Sequence, residues 1–163
     1  MPPAPRLWLR AVAYMFVVGG IHYAALPLVF TVGEPRMSFR RGWPMALGSG
    51  LVASGAALAF AAAHALVTRG QGTPFPLEPT RHLVVDGPYG HLRNPQAVAA
   101  TLIVAGEVLA IRSRRLWLLL PLTVLYLEGL AGPFERREMV ARFGPPYLAY
   151  RHRVPAWLPR RSH

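Results

Sequence analysis

The sequence predicts an all-α integral membrane protein with about four transmembrane helices. Two runs carry no formal charge, one of 23 residues over 11–33 and one of 27 residues over 42–68. Both exceed the ~20 residues that a helix needs to cross a bilayer. Two shorter apolar runs, 94–111 and 116–134, follow closely on one another. Since the chain has only 163 residues, of which 53% are hydrophobic and 15% charged, we expect a single membrane domain over 1–163.

The first two helices are predicted over 8–33 and 43–68. Arg6 and Arg10 precede the first apolar run, which is longer than the ~7–15 apolar residues of a signal peptide, so we expect a retained helix. Small residues line the second helix and predict close packing against a neighbouring helix. They are Gly48, Gly50, Ser54, Gly55 and Ala59.

The next two helices, predicted over 94–111 and 116–134, form a C-terminal helical hairpin because only four residues separate them. Each contains one acidic residue, and a charge at the bilayer centre costs at least about 2.5 kcal/mol. Glu107 lies near a helix end, where we expect it to pair with Arg112 or Arg114. Glu128 lies toward the other end of the hairpin and is a candidate to line a cofactor or substrate cavity.

The arginines predict the orientation. All 18 basic residues are arginine; 12 of them lie in the N-terminus, the loop 69–93 and the tail 135–163, and 6 lie on the opposite side. Cytoplasmic segments are the more positive ones, so we expect a multi-pass protein of the bacterial inner (plasma) membrane with both termini and the active face in the cytoplasm. Membrane lipids are the expected partners of these arginines.

The loop 69–93 is rich in glycine and proline, which disfavours a regular helix. Within the tail, residues 135–142 are predicted to form one short amphipathic helix. The residues after it combine aromatics, arginines and prolines. That composition predicts an amphipathic tail packed at the membrane interface.

The net charge of +11 does not indicate nucleic-acid binding, because the arginines bracket apolar runs instead of forming one soluble basic face. The chain has no cysteine, and its sequence contains no phosphate-binding loop, dinucleotide fingerprint, zinc-protease motif or nucleophile elbow. We therefore expect no metal site, and we look for chemistry in the cytoplasmic loop and tail.

Two motifs in these segments carry a resemblance. The run GPYGHLRNPQ at 87–96 is similar to the GPYxxxR[HN]P signature of the isoprenylcysteine carboxyl methyltransferase family. The run FGPPYLAYRHRVPAWLP at 143–159 resembles the tail of the same family. This family belongs to a wider group of integral-membrane methyltransferases that includes phospholipid methyltransferases. The two motifs occur in the same order, with a helical hairpin between them, as in the family.

The resemblance implies S-adenosylmethionine as methyl donor, bound at the cytoplasmic end of the hairpin. The residues that it places at the cofactor are Leu83, Val84, Tyr89, His91, Asn94, Pro95, Gln96, Ala97 and Glu135. Leu83 and Val84 would line the adenosine site. The helix start at 94–97 would offer N–H groups to the carboxylate of the methionine end. Glu128, as candidate base, and Arg153, facing substrate or cofactor, are the catalytic candidates.

Several positions depart from the family pattern. Asn94 replaces the commoner histidine, Ala97 a tyrosine, Arg136 the second glutamate of a pair, and Ala131 the arginine that binds the substrate carboxylate. We therefore expect an S-adenosylmethionine-dependent methyltransferase that acts on a small lipophilic or membrane-embedded acceptor. The alternatives are a non-catalytic membrane bundle that retains the fold and, less supported because the chain is short, a relative of the membrane sterol reductases.

Overall fold

In the computed structural model, which describes residues 5–34, 38–74 and 78–157, every regular element is a helix. The predicted all-α class is confirmed. The helices are α1 (Pro5–Thr31), α2 (Trp43–Thr68), α3 (Pro88–His91), α4 (Pro95–Ala110), α5 (Leu116–Phe143) and α6 (Pro145–Arg153). A π-helical turn interrupts α1 at Ile21–Ala25, and another interrupts α5 at Tyr126–Ala131.

Helices α1, α2 and α5 have 27, 26 and 28 residues and are long and apolar enough to cross a membrane. The protein is therefore a membrane protein. Helix α4 is apolar but has only 16 residues. At 1.5 Å per residue it is about 24 Å long, against the ~30 Å of the hydrocarbon core. The four-span topology stays a prediction.

The closest helix contact joins α2 to α4. A Cβ atom added to Gly48 would lie 2.6 Å from the carbonyl oxygen of Gly106, and one added to Gly55 would lie 2.8 Å from that of Ala99. The small residues predicted to permit close packing do so at these two positions, whereas Gly50 has open space around it. Glycine is needed here because no other residue lets two backbones approach so closely.

The end of the bundle opposite the termini is closed by backbone pairing. Residues 38–40 lie beside the turn of the hairpin, where Phe39 and Ile111 form an antiparallel bridge. The Arg112 N–H donates to Ser38 O at 2.7 Å, and the Arg40 N–H donates to Ala110 O at 2.8 Å. Beneath this turn, apolar side chains of the hairpin pack with Tyr23, Leu26 and Phe30 of α1; the buried hairpin residues are Val104, Val108, Leu116 and Leu119.

Two expectations about the hairpin were wrong. The fourth helix was predicted to end at 134, with a separate amphipathic helix over 135–142, but α5 continues through these residues to Phe143. Residues 135–142 contain no glycine or proline, so the helix propagates until Gly144, whose φ of 54° ends it. Glu107 pairs with neither Arg112 nor Arg114, both of which are exposed. Its Oε2 atom is buried with no hydrogen-bond partner among the described residues.

Candidate functional site

The loop between α2 and α4 folds back onto the end of α2. The Arg81 N–H donates to Gly70 O at 2.7 Å, and the Thr73 N–H donates to Glu78 O at 2.9 Å. A Cβ atom on Gly72 would overlap the backbone of Thr80, so this turn needs glycine. The loop is therefore held against the bundle by its own backbone, although it contains little regular structure.

The tail then crosses the loop and joins the two sequence motifs. The Tyr150 hydroxyl donates to Tyr89 O at 2.7 Å. The Arg93 N–H donates to Pro155 O at 2.7 Å, and the Arg93 guanidinium donates to Arg151 O at 3.1 Å. Arg93 thus caps backbone carbonyls of the tail. We name this junction of residues 89–93 with residues 147–157 the loop–tail cluster.

Glu135 of α5 faces the loop–tail cluster. Burial raises the pKa of the Tyr89 hydroxyl far above its ordinary value, and the negative charge of Glu135 raises it further. Burial also raises the pKa of Tyr150, an effect that the positive charge of Arg93 opposes. A carboxylate, a guanidinium and two buried phenols therefore share one small region, to which both motifs and α5 contribute.

A second junction ties the tail to α5. The Trp157 indole N–H donates to Glu128 Oε1 at 2.6 Å, and the Arg136 guanidinium lies 3.5 Å from Glu128 Oε2. Glu128, predicted as a candidate base, thus has a cation and an indole at its two oxygens. Further along α5, Glu138 pairs with Arg142 at 3.3 Å, one helical turn apart as the sequence spacing indicates.

The start of α4 is organised for packing. The Asn94 side chain caps the helix by accepting the Ala97 N–H at 3.2 Å. Pro95 and Ala97 are buried, and the Gln96 amide donates to Ala59 O of α2 at 3.3 Å. The cap already uses the Ala97 N–H, and the Gln96 side chain reaches toward α2.

The other predicted site residues lie at different depths. Val84 is buried and Leu83 half-buried, whereas His91 is exposed. Arg153 is exposed and makes no hydrogen bond or ion pair within the described residues. The last residues of the tail motif, 158–159, lie outside the described residues.

Sequence reasoning did not single out Tyr150 or Trp157, whose side chains make the long-range contacts of the tail. Both belong to the tail motif, and Tyr147 and Tyr150 are both buried, at 3% and 2% exposure. An interfacial segment would instead leave its aromatics in contact with lipid. The pair of tyrosines three residues apart was the available signal, because that spacing places both on one face of a helix.

Comparison with known protein families supports the resemblance. The profile of the family described as phospholipid methyltransferase matches residues 43–145, which is more than half of the chain. The chain belongs to the phospholipid methyltransferase family. This family of integral-membrane methyltransferases includes the isoprenylcysteine carboxyl methyltransferases, so the resemblance stated from the two motifs is confirmed. The match covers α2, the loop and the hairpin as far as the start of α6. No curated protein and no solved structure gives a match.

Proposed function

We propose that this member of the phospholipid methyltransferase family transfers a methyl group from S-adenosylmethionine to a small lipophilic or membrane-embedded acceptor. We further propose that it does so at the cytoplasmic face of a bacterial inner membrane. The observation that carries the proposal is the loop–tail cluster, in which Tyr150 and Arg93 join the two methyltransferase motifs beside Glu135.

The residues present fit this cofactor. S-adenosylmethionine supplies, when bound, a methyl group on a positively charged sulfur. Glu135 forms no ion pair within the described residues, although Arg93 and Arg136 lie near enough to act on its charge, and its carboxylate can hold the cationic part of the cofactor. Tyr89, with its backbone fixed by Tyr150, and the apolar Leu83 and Val84 provide surface for the adenosine.

The remaining residues orient the groups. Arg93 positions the tail over the loop through the Arg151 and Pro155 carbonyls. Arg153 carries a cation without a partner among the described residues and is the arginine that we assign to the acceptor side. A thiol acceptor, or an amine that arrives protonated, must lose a proton before it attacks the methyl group, and we assign that proton to Glu128, whose carboxylate would have to part from Arg136 to take it.

Cofactor binding tests the proposal directly. Calorimetry on the detergent-solubilised full chain should detect S-adenosylhomocysteine, and Glu135→Gln should weaken its binding about tenfold, as expected for loss of one charged contact. Glu138→Gln is the matched control: it removes a carboxylate three residues away that already pairs with Arg142. Absence of binding by the parent protein would contradict the proposal, as would equal effects of the two variants.

Turnover distinguishes the acceptors. Because Ala131 replaces the arginine that binds a substrate carboxylate in the family, we expect slow methylation of a farnesylated cysteine analogue and faster methylation of lipophilic amines or thiols. Glu128→Gln should abolish turnover of the neutral acceptors. Efficient methylation of the prenylcysteine analogue that persists in the double variant Arg136→Ala, Arg153→Ala would contradict the preference for a neutral acceptor. Cofactor binding without turnover on any acceptor would favour a non-catalytic bundle.

A further inference from the structure

One face of α5 carries two grooves in line. The first encloses about 630 Å³ and is lined by Leu120, Pro121, Val124, Leu125, Glu128 and Gly129. The second encloses about 430 Å³ and is lined by Pro133, Arg136, Arg137, Val140, Ala141 and Arg151. On α5 the lining residues recur at intervals of about four, so both grooves lie on the same side of the helix. The π-helical turn Tyr126–Ala131, which contains Glu128 and Gly129 of the first groove, widens one turn and so offsets part of the drift of a four-residue spacing.

The chemistry changes from one groove to the next. The lining of the first groove is apolar except for Glu128, at the end nearer the second groove. Three arginines line the second groove. The Arg136 guanidinium forms an ion pair with the Glu128 carboxylate at 3.5 Å. Arg137 and Arg151 are exposed and pair with no carboxylate within the part of the chain that the structure describes. The largely apolar first groove thus leads to a second groove that is cationic.

The second groove lies where α5 is expected to reach the membrane surface. The apolar run of α5 ends at Phe134, and the arginines that line this groove follow directly. The first groove therefore lies at the depth of lipid chains and the second at the depth of headgroups. Guanidinium groups are the side chains best suited to phosphate oxygens, which they bind through parallel hydrogen bonds.

We propose that this face of α5 binds an anionic phospholipid, with an acyl chain along Leu120–Gly129 and the phosphate between Arg137 and Arg151. A zwitterionic lipid would bring an ammonium group toward the same arginines, which disfavours it. A second copy of the chain, packed through this face about a two-fold axis, would bring like-charged arginines together. The Glu128 carboxylate does not repel the phosphate strongly, because the Arg136 cation lies beside it and the Trp157 indole N–H donates a hydrogen bond to it.

Lipid binding to the full chain in detergent tests the proposal without reference to methyl transfer. Native mass spectrometry should show phosphatidylglycerol bound at least about tenfold more tightly than phosphatidylcholine with identical acyl chains, as the charge of two arginines near the membrane surface predicts. Arg137→Gln with Arg151→Gln should remove this preference. The matched control, Arg41→Gln with Arg114→Gln, removes two exposed arginines at the opposite end and should leave it unchanged.

The apolar groove is tested separately. Gly129→Trp should fill it and weaken binding of both lipids, while Gly50→Trp, where a side chain has open space on α2, should not. Equal affinity for the two lipids would overturn the proposal, as would equal effects of the arginine pairs. Binding of inorganic phosphate that displaces phosphatidylglycerol, with Gly129→Trp having no effect, would show a free-phosphate site instead. A dimer that loses its contact on Gly129→Trp would show that a second copy covers this face.

Discussion

The two ends of the bundle are both rich in arginine but are held together differently. At the end opposite the termini, residues 38–40 and the hairpin turn pair mainly through backbone atoms, with the Arg112 and Arg40 N–H groups as donors, and the Arg115 guanidinium donates to Val32 O at 3.0 Å. In the loop–tail cluster, the Tyr150 hydroxyl and the Arg93 and Trp157 side chains bridge segments far apart in sequence.

Under the proposed function, the loop–tail end is the functional one. Side chains also join segments at the opposite end, where Glu34 contacts Ser113 and Arg115. At the loop–tail end, however, the bridging side chains bring the Glu135 carboxylate near phenols and a guanidinium. The density of arginines does not distinguish the two ends, whereas the buried phenols beside a carboxylate do.

The largest effect is expected from Arg93→Ala. This variant removes the guanidinium that binds Arg151 O, and a hydrogen bond from a charged donor contributes roughly 1.5–3 kcal/mol. Since the tail would be held less firmly against the loop, S-adenosylhomocysteine should bind about tenfold more weakly by calorimetry. Arg112→Ala is the counterpart at the other end, where the contact with Ser38 uses the backbone N–H and survives. Equal losses of affinity in both variants would remove the distinction between the ends.

A smaller effect is expected from Tyr150→Phe. The variant leaves Tyr89 O without its donor and should lower the free energy of unfolding by about 1 kcal/mol, measured as a lower Tm in detergent. Tyr147→Phe serves as reference, because Tyr147 is equally buried and its hydroxyl has no hydrogen-bond partner among the described residues. If Tyr147→Phe lowered Tm as much, general packing and not the hydrogen bond would hold the tail.

The smallest effect is expected at the opposite end, from Glu34→Gln. A hydrogen bond with the Ser113 hydroxyl, opposed in part by desolvation and aided by the Arg115 N–H, holds the pKa of Glu34 below its ordinary value of 4.5. A lowered pKa means that the stabilisation is present above pH 4.5 and is lost as the pH falls through the lowered value.

Glu34→Gln should therefore lower Tm slightly at pH 7, by progressively less as the pH falls below 4.5, with no change in cofactor affinity at pH 7. A matching fall in cofactor affinity at pH 7 would show that the two ends are coupled and that the comparison drawn here is too simple.

The sequence was most informative where composition alone decides structure. The uncharged run 42–68 predicted a helix over 43–68, and the structure has Trp43–Thr68. The small residues Gly48 and Gly55 predicted close packing against a neighbouring helix, because only their size matters to it, and the structure shows that this helix is α4. The four-residue separation of the hairpin helices left no other connection possible.

The sequence was least informative where the polarity of a residue does not indicate which residues it contacts. The change to charged residues at Glu135 suggested a helix end, but a helix does not end because its surface becomes polar. Glu107 was assigned to the nearest arginines along the chain, which instead extend into solvent. The Tyr150 contact could not be foreseen, because its acceptor is a backbone carbonyl, which every residue has and which leaves no trace in the sequence.

The π-helical turn Tyr126–Ala131 makes α5 behave as if one residue had been inserted into a regular helix. Deleting a single residue within it would restore the ordinary repeat and leave the residues that follow facing the same way. If instead the turn became α-helical with all its residues kept, everything that follows would rotate by about 100°. Glu135 and Arg136 would then turn away from the loop and from Glu128, although no functional side chain had been changed. The angular register of the hairpin's second arm is thus as much a requirement of the site as the identity of its residues, and a substitution that closes this wide turn should be harder to tolerate than a one-residue deletion within it.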